Sequence, residues 1–199
     1  VFVKLYMIKF SKKYYDLIDQ YKIAHKNGIK KNNNLIDGVN TFSGRSLENN
    51  LFDIKKIISD TASVDLLDYG CGKAIWYTNT ITVNNIEYSG VSNFWKIKEF
   101  YLFDPGVDKY SKKPNKKFDG VVCTDVLEHI HPDDIENVVF EIFSFAKKFV
   151  FFDIATVEDN KILSNGENAH LIVKPHKWWL DFLKPYHSKN SHLKVVLKT

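Results

Sequence analysis

The sequence predicts an α/β fold in which a doubly wound, mostly parallel sheet follows an N-terminal helical segment. From residue 64 onward, short continuous apolar runs alternate with amphipathic stretches, a pattern typical of parallel strands buried on both faces. The first run leads into a glycine turn, GCG at 70–72. Three runs end in an acid, at Asp68, Asp104 and Asp125, and we expect all three on the rim where the carboxyl ends of parallel strands meet.

Residues 1–60 are predicted to form a helical segment or lid, and residues 61–199 a single globular domain. Apolar residues recur at helical spacing within 12–25. A polar run, NGIKKNNN at 27–34, then predicts a loop or mobile segment. Ser46 is positioned to cap a second helix, whose apolar stripe comprises Leu47, Leu51, Ile54, Ile57 and Ile58.

The rest of the chain supplies the alternating strands and helices of the sheet. Strands are predicted at 64–67, 100–103, 118–124, 149–154 and 192–197. The last of them is expected at an edge, where it could pair antiparallel. Helices are predicted at 75–81, 132–147 and 176–183.

The composition excludes several classes of protein. The 199 residues include two cysteines, too few for a disulfide framework. No run approaches the roughly 18 apolar residues that a transmembrane helix requires. The N-terminal VFVKLYMIKF lacks the small-residue cleavage site of a signal peptide. We therefore expect a soluble, cytoplasmic protein with no membrane span.

The charge balance favours a small-molecule partner over nucleic acid. The formal net charge is +4, but Arg45 is the only arginine. Specific readers of phosphate and guanine depend on the bidentate fork of arginine, which lysine does not provide. Binding to nucleic acid is the less favoured expectation.

The glycine turn predicts a ligand site. In LLDYGCGKA at 66–74, Gly70 and Gly72 let the backbone turn tightly and approach a ligand, and the helix expected next presents N–H groups that favour an anion. A dinucleotide-binding Rossmann domain is one interpretation of these glycines. Its G-x-G-x-x-G spacing, however, requires a glycine at Ile75.

Three segments together resemble the cofactor motifs of class I S-adenosylmethionine-dependent methyltransferases: LLDYGCGKA, LFDPGVDKY and FDGVVCTDVLEHI. The resemblance runs from about residue 66 to residue 154. It implies that a turn holds the methionine end of the cofactor, that an acid takes the ribose hydroxyls, and that a third segment borders the sulfonium. The residues implied for these roles are, in order, Asp68, Tyr69, Gly70, Gly72 and Lys73; Asp104 and Pro105; Asp125 and Val126.

The same region contains a candidate metal site. Asp125, Glu128 and His129 stand at i, i+3 and i+4 and would share one face of a helix, and His170 follows the fourth strand. Carboxylate and imidazole ligands suit Mg²⁺, Mn²⁺, Fe²⁺ or Zn²⁺. The pattern is similar to that of ubiquinone-biosynthesis O-methyltransferases and of enzymes that 2′-O-methylate small RNAs, in which a divalent ion grips neighbouring hydroxyls. In metal-free members of the superfamily, such residues cap the helix or shape the pocket.

These observations predict an O-methyltransferase acting on a small hydroxylated metabolite or sugar. Glu128, His129 and His170 are the candidate catalytic residues, because an alcohol acceptor must lose its proton to a base or bind a metal that lowers its pKa. One alternative is an RNA or protein methyltransferase that uses the lysines at 112, 113, 116 and 117. Another is a cofactor-binding pseudo-enzyme or partner subunit, since Ala74 replaces the third glycine of the family's turn.

The segment 42–46 and His25 lie outside these motifs. The segment 42–46, which includes Arg45, is expected to close over the cofactor, and the arginine either binds a carboxylate or is a solvated surface charge. His25 has no acid partner at useful spacing and is predicted to be a surface or core histidine.

Overall fold

The fold is built on a sheet of parallel strands. A computed structural model describes residues 9–32 and 34–199 of the chain. The helices are Lys12–Asn27 (α1), Leu51–Asp60 (α2), Ile75–Thr78 (α3), Val91–Trp95 (α4), Ile135–Phe145 (α5) and His176–Lys189 (α6). The strands are Ile29–Lys31 (β1), Asn34–Ile36 (β2), Asp65–Tyr69 (β3), Ile81–Val83 (β4), Ile86–Tyr88 (β5), Glu99–Phe103 (β6), Phe118–Thr124 (β7), Ala146–Asp153 (β8), Lys161–Ile162 (β9) and Lys194–Lys198 (β10). Residues 1–8, which contain most of the segment judged not to be a signal peptide, lie outside the described residues.

The central sheet has five strands in the order β10-β8-β7-β3-β6, and every neighbouring pair is parallel. From β3 the chain proceeds to one side, to β6, and then returns past β3 to β7, β8 and β10. The strand order therefore reverses between β3 and β7, which is where open α/β sheets bind ligands, beyond the carboxyl ends of the strands. The prediction of a doubly wound, mostly parallel sheet is confirmed.

Successive residues of the strands point to opposite faces and form two cores. Leu67 and Val121 contribute to a core that includes α5 and α6, whereas Leu66 and Val122 contribute to one that includes α2, α3 and α4. Because both faces are covered by helices, the strands read as continuous apolar runs. This double burial explains why β7, buried along its whole length, matches the predicted strand residue for residue.

The polar run at 27–34 was expected to be a loop, and this prediction is wrong. It contains β1 and the start of β2, an antiparallel hairpin whose inner strand β1 also pairs with β9. Asn32 has a φ of 47°, a left-handed conformation that asparagine tolerates in tight turns. Only Ile29 of β1 is buried, so the hairpin has almost no apolar signal.

The final strand and one predicted helix differ from what the sequence predicts. Antiparallel pairing of the final strand is ruled out, because α6 returns the chain across the sheet and β10 joins β8 in parallel. The helix predicted at 75–81 stops at Thr78, and Ile81 begins the β4–β5 hairpin. Asn84 and Asn85 have φ values of 51° and 63°, as the tight turn of that hairpin requires.

Ser46 does not cap a helix. It lies in the 3₁₀ turn Arg45–Asn50, and its hydroxyl lies 3.2 Å from the hydroxyl of Thr124, at the end of β7. The predicted stripe of apolar residues is nonetheless buried, because α2 continues directly from that turn. In the part of the chain that the structure describes, no helix is both long and apolar enough to traverse a bilayer.

The close approach of β7 to β8 gives a test of the packing. A Cβ added to Gly120 would lie 2.1 Å from ring atoms of Phe149 and 2.6 Å from Leu66 Cδ2. We expect Gly120→Ala to lower the free energy of unfolding by about 1–3 kcal/mol, the usual cost of overpacking, as measured by urea denaturation. Gly166→Ala is the control, since nothing lies within 4 Å of the added atom there. Because of its φ of +91°, this variant is expected to lose about 1 kcal/mol of unfolding free energy from backbone strain alone. Equal stability of the Gly120→Ala variant and the wild type would contradict the packing described.

Candidate active site

A cavity of about 240 Å³ opens at the point where the strand order reverses. Its floor is formed by residues at the carboxyl ends of β3, β6 and β7, and one wall is formed by α1, through Tyr14, Leu17, Ile18 and Tyr21. The predicted site residues that line it are Tyr69, Gly70, Gly72, Asp104, Pro105, Asp125, Val126 and His129.

The glycine turn is held by Asp104. Gly70 and Gly72 have φ values of 85° and 54°, the left-handed region in which side chains are strained. The Asp104 carboxylate accepts hydrogen bonds of 2.8 Å from the backbone N–H groups of Gly72 and Gly106. Burial nevertheless raises the pKa of Asp104 above its usual value. The turn after β3 and the acid after β6 thus form one unit at the cavity.

Ala74, in the position of the family's third glycine, also has a positive φ, of 53°. Alanine adopts this conformation at a cost of about 1 kcal/mol relative to glycine. Ala74 therefore adopts the left-handed conformation that glycine favours at such a position.

A strap formed by residues 42–44 lies across the outside of the turn. The carbonyl oxygens of Phe42 and Ser43 accept from the N–H groups of Lys73 and Ile75, at 3.1 and 3.3 Å. The Lys73 ammonium donates to the carbonyl oxygens of Gly38 and Thr41, so it holds the strap and does not line the cavity. The segment 42–46 does line the cavity, where we expected it to cover the cofactor.

His25 was predicted to be an ordinary surface or core histidine, but the structure places it at the cavity. Its Nδ1 lies 3.4 Å from the Lys73 Nζ. Burial, together with the charge of Lys73, lowers the pKa of His25 to about 4, so the ring is neutral at pH 7.

Asp68 is the one predicted cofactor-binding acid that the structure buries beneath the turn, away from the cavity lining. One of its carboxylate oxygens, Oδ2, has no hydrogen-bond partner among the described residues. Burial raises its pKa to about 7, against the opposing effect of Tyr77. Asp68 therefore lies next to the site without facing it.

Three predicted metal ligands converge at the end of β7. The Asp125 Oδ1 lies 3.7 Å from the His129 Nε2 and 3.9 Å from the His170 Nε2, and one ligand atom from each residue lies within 4.8 Å of the others. The side chain of Asp125 is 44% exposed, whereas those of His129 and His170 are 8% and 7% exposed. The carboxylate is thus open to a ligand, while the imidazoles are held in the protein.

Backbone carbonyls determine which nitrogen of each ring carries a proton. The His129 Nδ1 lies 2.8 Å from the Ala169 carbonyl oxygen, and the His170 Nδ1 lies 2.6 Å from that of Val157. A carbonyl oxygen only accepts, so each Nδ1 must be the donor. Both neutral rings then present the lone pair of Nε2 toward Asp125, the arrangement that metal-binding and proton-accepting histidines share.

Charge within the cluster is distributed unevenly. Burial by itself would raise the pKa of Asp125, but the protonated form of His129, together with Lys161 and His170, lowers it to about 2. Burial opposes protonation of His129, but Asp125 and Glu128 raise its pKa above the usual value. Burial lowers the pKa of His170. The cluster therefore combines an ionised carboxylate with two imidazoles of different proton affinity.

Glu128 is not brought into this cluster. Leu127–His129 is a 3₁₀ turn, so the prediction that Asp125, Glu128 and His129 share a helix face is wrong. Asp125 itself has a φ of 59°, which breaks the helical path. The Glu128 Oε1 accepts from the Ala155 N–H, its Oε2 has no partner among the described residues, and burial raises its pKa to about 7.

The backbone of Glu128 also positions His170. Its carbonyl oxygen accepts from the N–H groups of Leu171 and Ile172, at 2.7 and 3.0 Å. The long connection after β8 is thereby fastened to the turn after β7. Glu128 is the link between the two segments that carry the imidazoles.

Sequence reasoning missed several residues of the site. Tyr21 lies 2.9 Å from the His129 Nδ1, Asp159 Oδ2 lies 3.7 Å from the His170 Nε2, and Lys161 pairs with Asp159 and lines the cavity. None of them belongs to a local motif. Only the folding of α1 and the connection after β8 over the sheet edge brings them there.

Two of the four lysines proposed for nucleic-acid binding form ion pairs with acidic side chains. Lys113 pairs with the buried Glu141, and Lys116 pairs with Asp65 and Glu99. Such pairing reduces the positive potential that a phosphate backbone would meet.

A family model described as a methyltransferase domain matches residues 27–192. The match includes the glycine turn, all three acids at strand ends and the Asp125–His129–His170 cluster. No curated protein and no solved structure matches the chain.

The burial of Asp68 predicts a pH dependence of stability. Its folded-state pKa of about 7 exceeds the ordinary value of 3.8, so the folded protein releases this proton later than the unfolded chain does. Its contribution to stability is complete below about pH 4 and is lost as the pH rises through 7. We expect Asp68→Asn to reduce the loss of unfolding free energy between pH 5 and pH 8, measured by urea denaturation at each pH.

Asp119→Asn is the matched control for this experiment. Lys148 and neighbouring groups outweigh burial and lower the pKa of Asp119, so its titration lies below pH 4. This variant should keep the wild-type change between pH 5 and pH 8. An unchanged pH dependence in Asp68→Asn would show that burial does not raise the pKa of Asp68, leaving Glu128, whose pKa is also raised to about 7, as the acid that titrates in this range.

Proposed function

The chain belongs to the family of methyltransferase domains, which are S-adenosylmethionine-dependent enzymes, and on that premise we propose that it methylates a hydroxyl oxygen of a small metabolite or sugar. The observation that carries the proposal is the convergence of His129 and His170 on Asp125. Asp125 and His129 line the cavity, whereas His170 does not line it but has its Nε2 3.9 Å from the Asp125 Oδ1. Transfer of a methyl group to nitrogen or sulfur has less need of a carboxylate and two imidazole lone pairs at the acceptor position. An alcohol needs a group that removes or weakens its proton.

The cavity suits the cofactor at three places. Gly70 and Gly72 bring the backbone of the turn to the cavity, and a Cβ on Gly70 would lie 2.2 Å from a methyl carbon of Val126. We assign the turn, including Tyr69, to the methionine end of the cofactor. Asp104 and the adjacent Pro105 are assigned to the ribose, and Asp125 with Val126 to the neighbourhood of the sulfonium. When bound, the cofactor would supply a methyl carbon on a sulfonium: the acceptor oxygen would bond to that carbon in line as the carbon–sulfur bond breaks, and the sulfur would leave as a thioether.

Lys73 and Asp68 are assigned supporting positions in this scheme. Lys73 donates to the carbonyl oxygens of Gly38 and Thr41, just before the strap at 42–44, and so holds this part of the chain against the turn. Asp68 lies beneath the turn with an unpartnered, buried carboxylate oxygen. Both residues therefore act on the cofactor through the shape of the turn.

The cluster can supply the base in this reaction. An acceptor hydroxyl beside Asp125 would transfer its proton to the Nε2 of His129 or His170 as the oxygen forms its bond to the methyl carbon. The resulting imidazolium would be stabilised by the Asp125 carboxylate, which is already ionised at neutral pH. Holding the oxygen in line with the methyl group supplies much of the remaining rate enhancement.

The donor set also fits a divalent cation. Two imidazole Nε2 atoms and one carboxylate oxygen lie within 4.8 Å of one another, and each imidazole donates its Nδ1–H to a carbonyl, as metal-binding histidines do. Two histidines and a carboxylate suit Mn²⁺, Fe²⁺ or Zn²⁺. A bound cation would lower the pKa of the acceptor hydroxyl. The unpartnered Glu128 Oε2 makes that residue a candidate for a further ligand or for a carboxylate behind the ligands.

The surroundings favour a small acceptor. The cavity is walled by Tyr14, Tyr21 and Phe42, and Arg45 and Lys161 also line it. Aromatic walls suit a hydroxylated ring or a sugar. The pairing of Lys113 and Lys116 with acids weakens the case for RNA as the acceptor.

Variants of the two imidazoles test this proposal. We expect His129→Ala and His170→Ala to reduce kcat by at least about 100-fold, because each removes a base or a ligand. Affinity for S-adenosylhomocysteine should stay within about threefold of wild type, since neither ring belongs to the glycine turn. The measurements are isothermal titration with S-adenosylhomocysteine, before and after chelation, and turnover of diols and catechols with Mn²⁺ or Zn²⁺.

His192→Ala, at an exposed position after α6, serves as the control and should retain wild-type turnover. Full turnover in both imidazole variants would rule out their assigned role. Wild-type protein that bound no S-adenosylhomocysteine would contradict the cofactor assignment.

A further inference from the structure

We propose that Tyr21, on the N-terminal helix α1, is a positioning residue for His129. The inference rests on the proposed function, because it assigns a role to a residue behind the cluster. It makes the N-terminal segment part of the active site, so that the helix does more than cover the cavity. Tyr21 touches neither Asp125 nor the Nε2 atoms, so its role is exerted through the His129 ring.

The Tyr21 hydroxyl is placed to orient that ring. Its oxygen lies 2.9 Å from the His129 Nδ1 and 3.3 Å from the Ala169 carbonyl oxygen. Since the carbonyl only accepts, the Tyr21 hydroxyl donates to Ala169, and the His129 Nδ1–H is shared between the carbonyl and the hydroxyl oxygen. Three polar groups thus close a small network behind the imidazole.

The rings reinforce this arrangement. Tyr21 and Phe42 both meet His129 edge to face, with centroids 5.8 and 6.0 Å apart and interplanar angles of 90° and 86°. His129 also meets His170 edge to face, with centroids 4.7 Å apart and an interplanar angle of 80°. The imidazole therefore contacts three rings, of which Tyr21 also contacts its Nδ1.

Packing explains why α1 can perform this role. Leu17 and Ala24 of α1 form a core cluster with Ile29, Leu163 and Ala169, and Tyr21 packs against it. The helix and the 163–169 segment are thus joined by the same apolar contacts that place the Ala169 carbonyl. The two groups that contact the His129 Nδ1 are the Tyr21 hydroxyl and the Ala169 carbonyl, and both lie outside β7. The apolar cluster packs the segments that carry them against each other.

Tyr21→Phe removes the hydroxyl and keeps the ring, so it tests positioning with little change in packing. We expect Mn²⁺ affinity, measured by isothermal titration, to fall about 10–100-fold, the usual effect of removing a group behind a ligand. kcat should fall by a similar factor. Affinity for S-adenosylhomocysteine should remain within about twofold of wild type, because the glycine turn is untouched.

Tyr15→Phe is the matched control, a neighbouring and 55% exposed tyrosine of the same helix that does not line the cavity. It should retain wild-type metal affinity and turnover. Equal Mn²⁺ affinity and kcat in Tyr21→Phe and Tyr15→Phe would overturn the proposal.

A second measurement separates this inference from the proposed function. If wild-type protein bound S-adenosylhomocysteine but no Mn²⁺, the proposed metal role would fail. Hydrogen exchange of the His129 Nδ1 proton, followed by NMR, would then test whether Tyr21 positions the ring. Exchange about tenfold faster in Tyr21→Phe than in Tyr15→Phe would support positioning, since a shared hydrogen bond is lost. Equal exchange rates would refute it.

Discussion

The parallel pairing of β3 with β6 and β7 is the constraint on which the rest of the molecule depends. The register places Asp68 opposite Leu102 and Val122, so that the strands end together at one edge. At that edge the chain must turn sharply after every strand. The turns after β3 and β7 contain residues with positive φ, namely Gly70, Gly72 and Asp125, and these three residues line the cavity. The sheet thus converts three distant segments into one concave surface.

A second layer of structure completes that surface from outside the sheet. The connection after β8 carries His170 and is fastened to the Glu128 carbonyl and, through β9, to the β1–β2 hairpin. The strap at 42–44 and the Lys73 ammonium hold the N-terminal segment to the glycine turn. The described part of the segment 1–60, residues 9–32 and 34–60, therefore contributes walls and contacts to the site, and the family match begins within it, at residue 27.

The burial of acidic side chains without partners is the least favourable electrostatic feature of the fold. Asp68 and Glu128 each have a buried carboxylate oxygen without a partner among the described residues, and burial raises the pKa of both to about 7. By contrast, acids at the opposite end of the sheet, such as Asp119, are matched by lysines. Unmatched acids concentrated at one edge are typical of a functional site, because a fold selected for stability alone would pair or remove them.

The sequence by itself determined the sheet, the order of its main elements and the residues at the strand ends. Buried strands read as continuous apolar runs, and Asp68, Asp104, Asp125 and the glycines follow them directly, so local pattern was sufficient. It also pointed to both histidines near Asp125: His129 through its spacing from that acid, and His170 through its place after the fourth strand and the resemblance. The β1–β2 hairpin escaped prediction because it buries little more than Ile29.

Tertiary structure alone decided which side chains face one another. The left-handed backbone at Asp125 interrupts the expected helix, and the Glu128 Oε1 accepts from the Ala155 N–H instead of joining the Asp125–His129–His170 cluster. No local signal encodes that turn. Tyr21, Asp159 and Lys161 reached the site through contacts between segments far apart in the chain. A sequence pattern reports which residues are buried and where strands end, but the direction of a side chain in a turn depends on what packs against it.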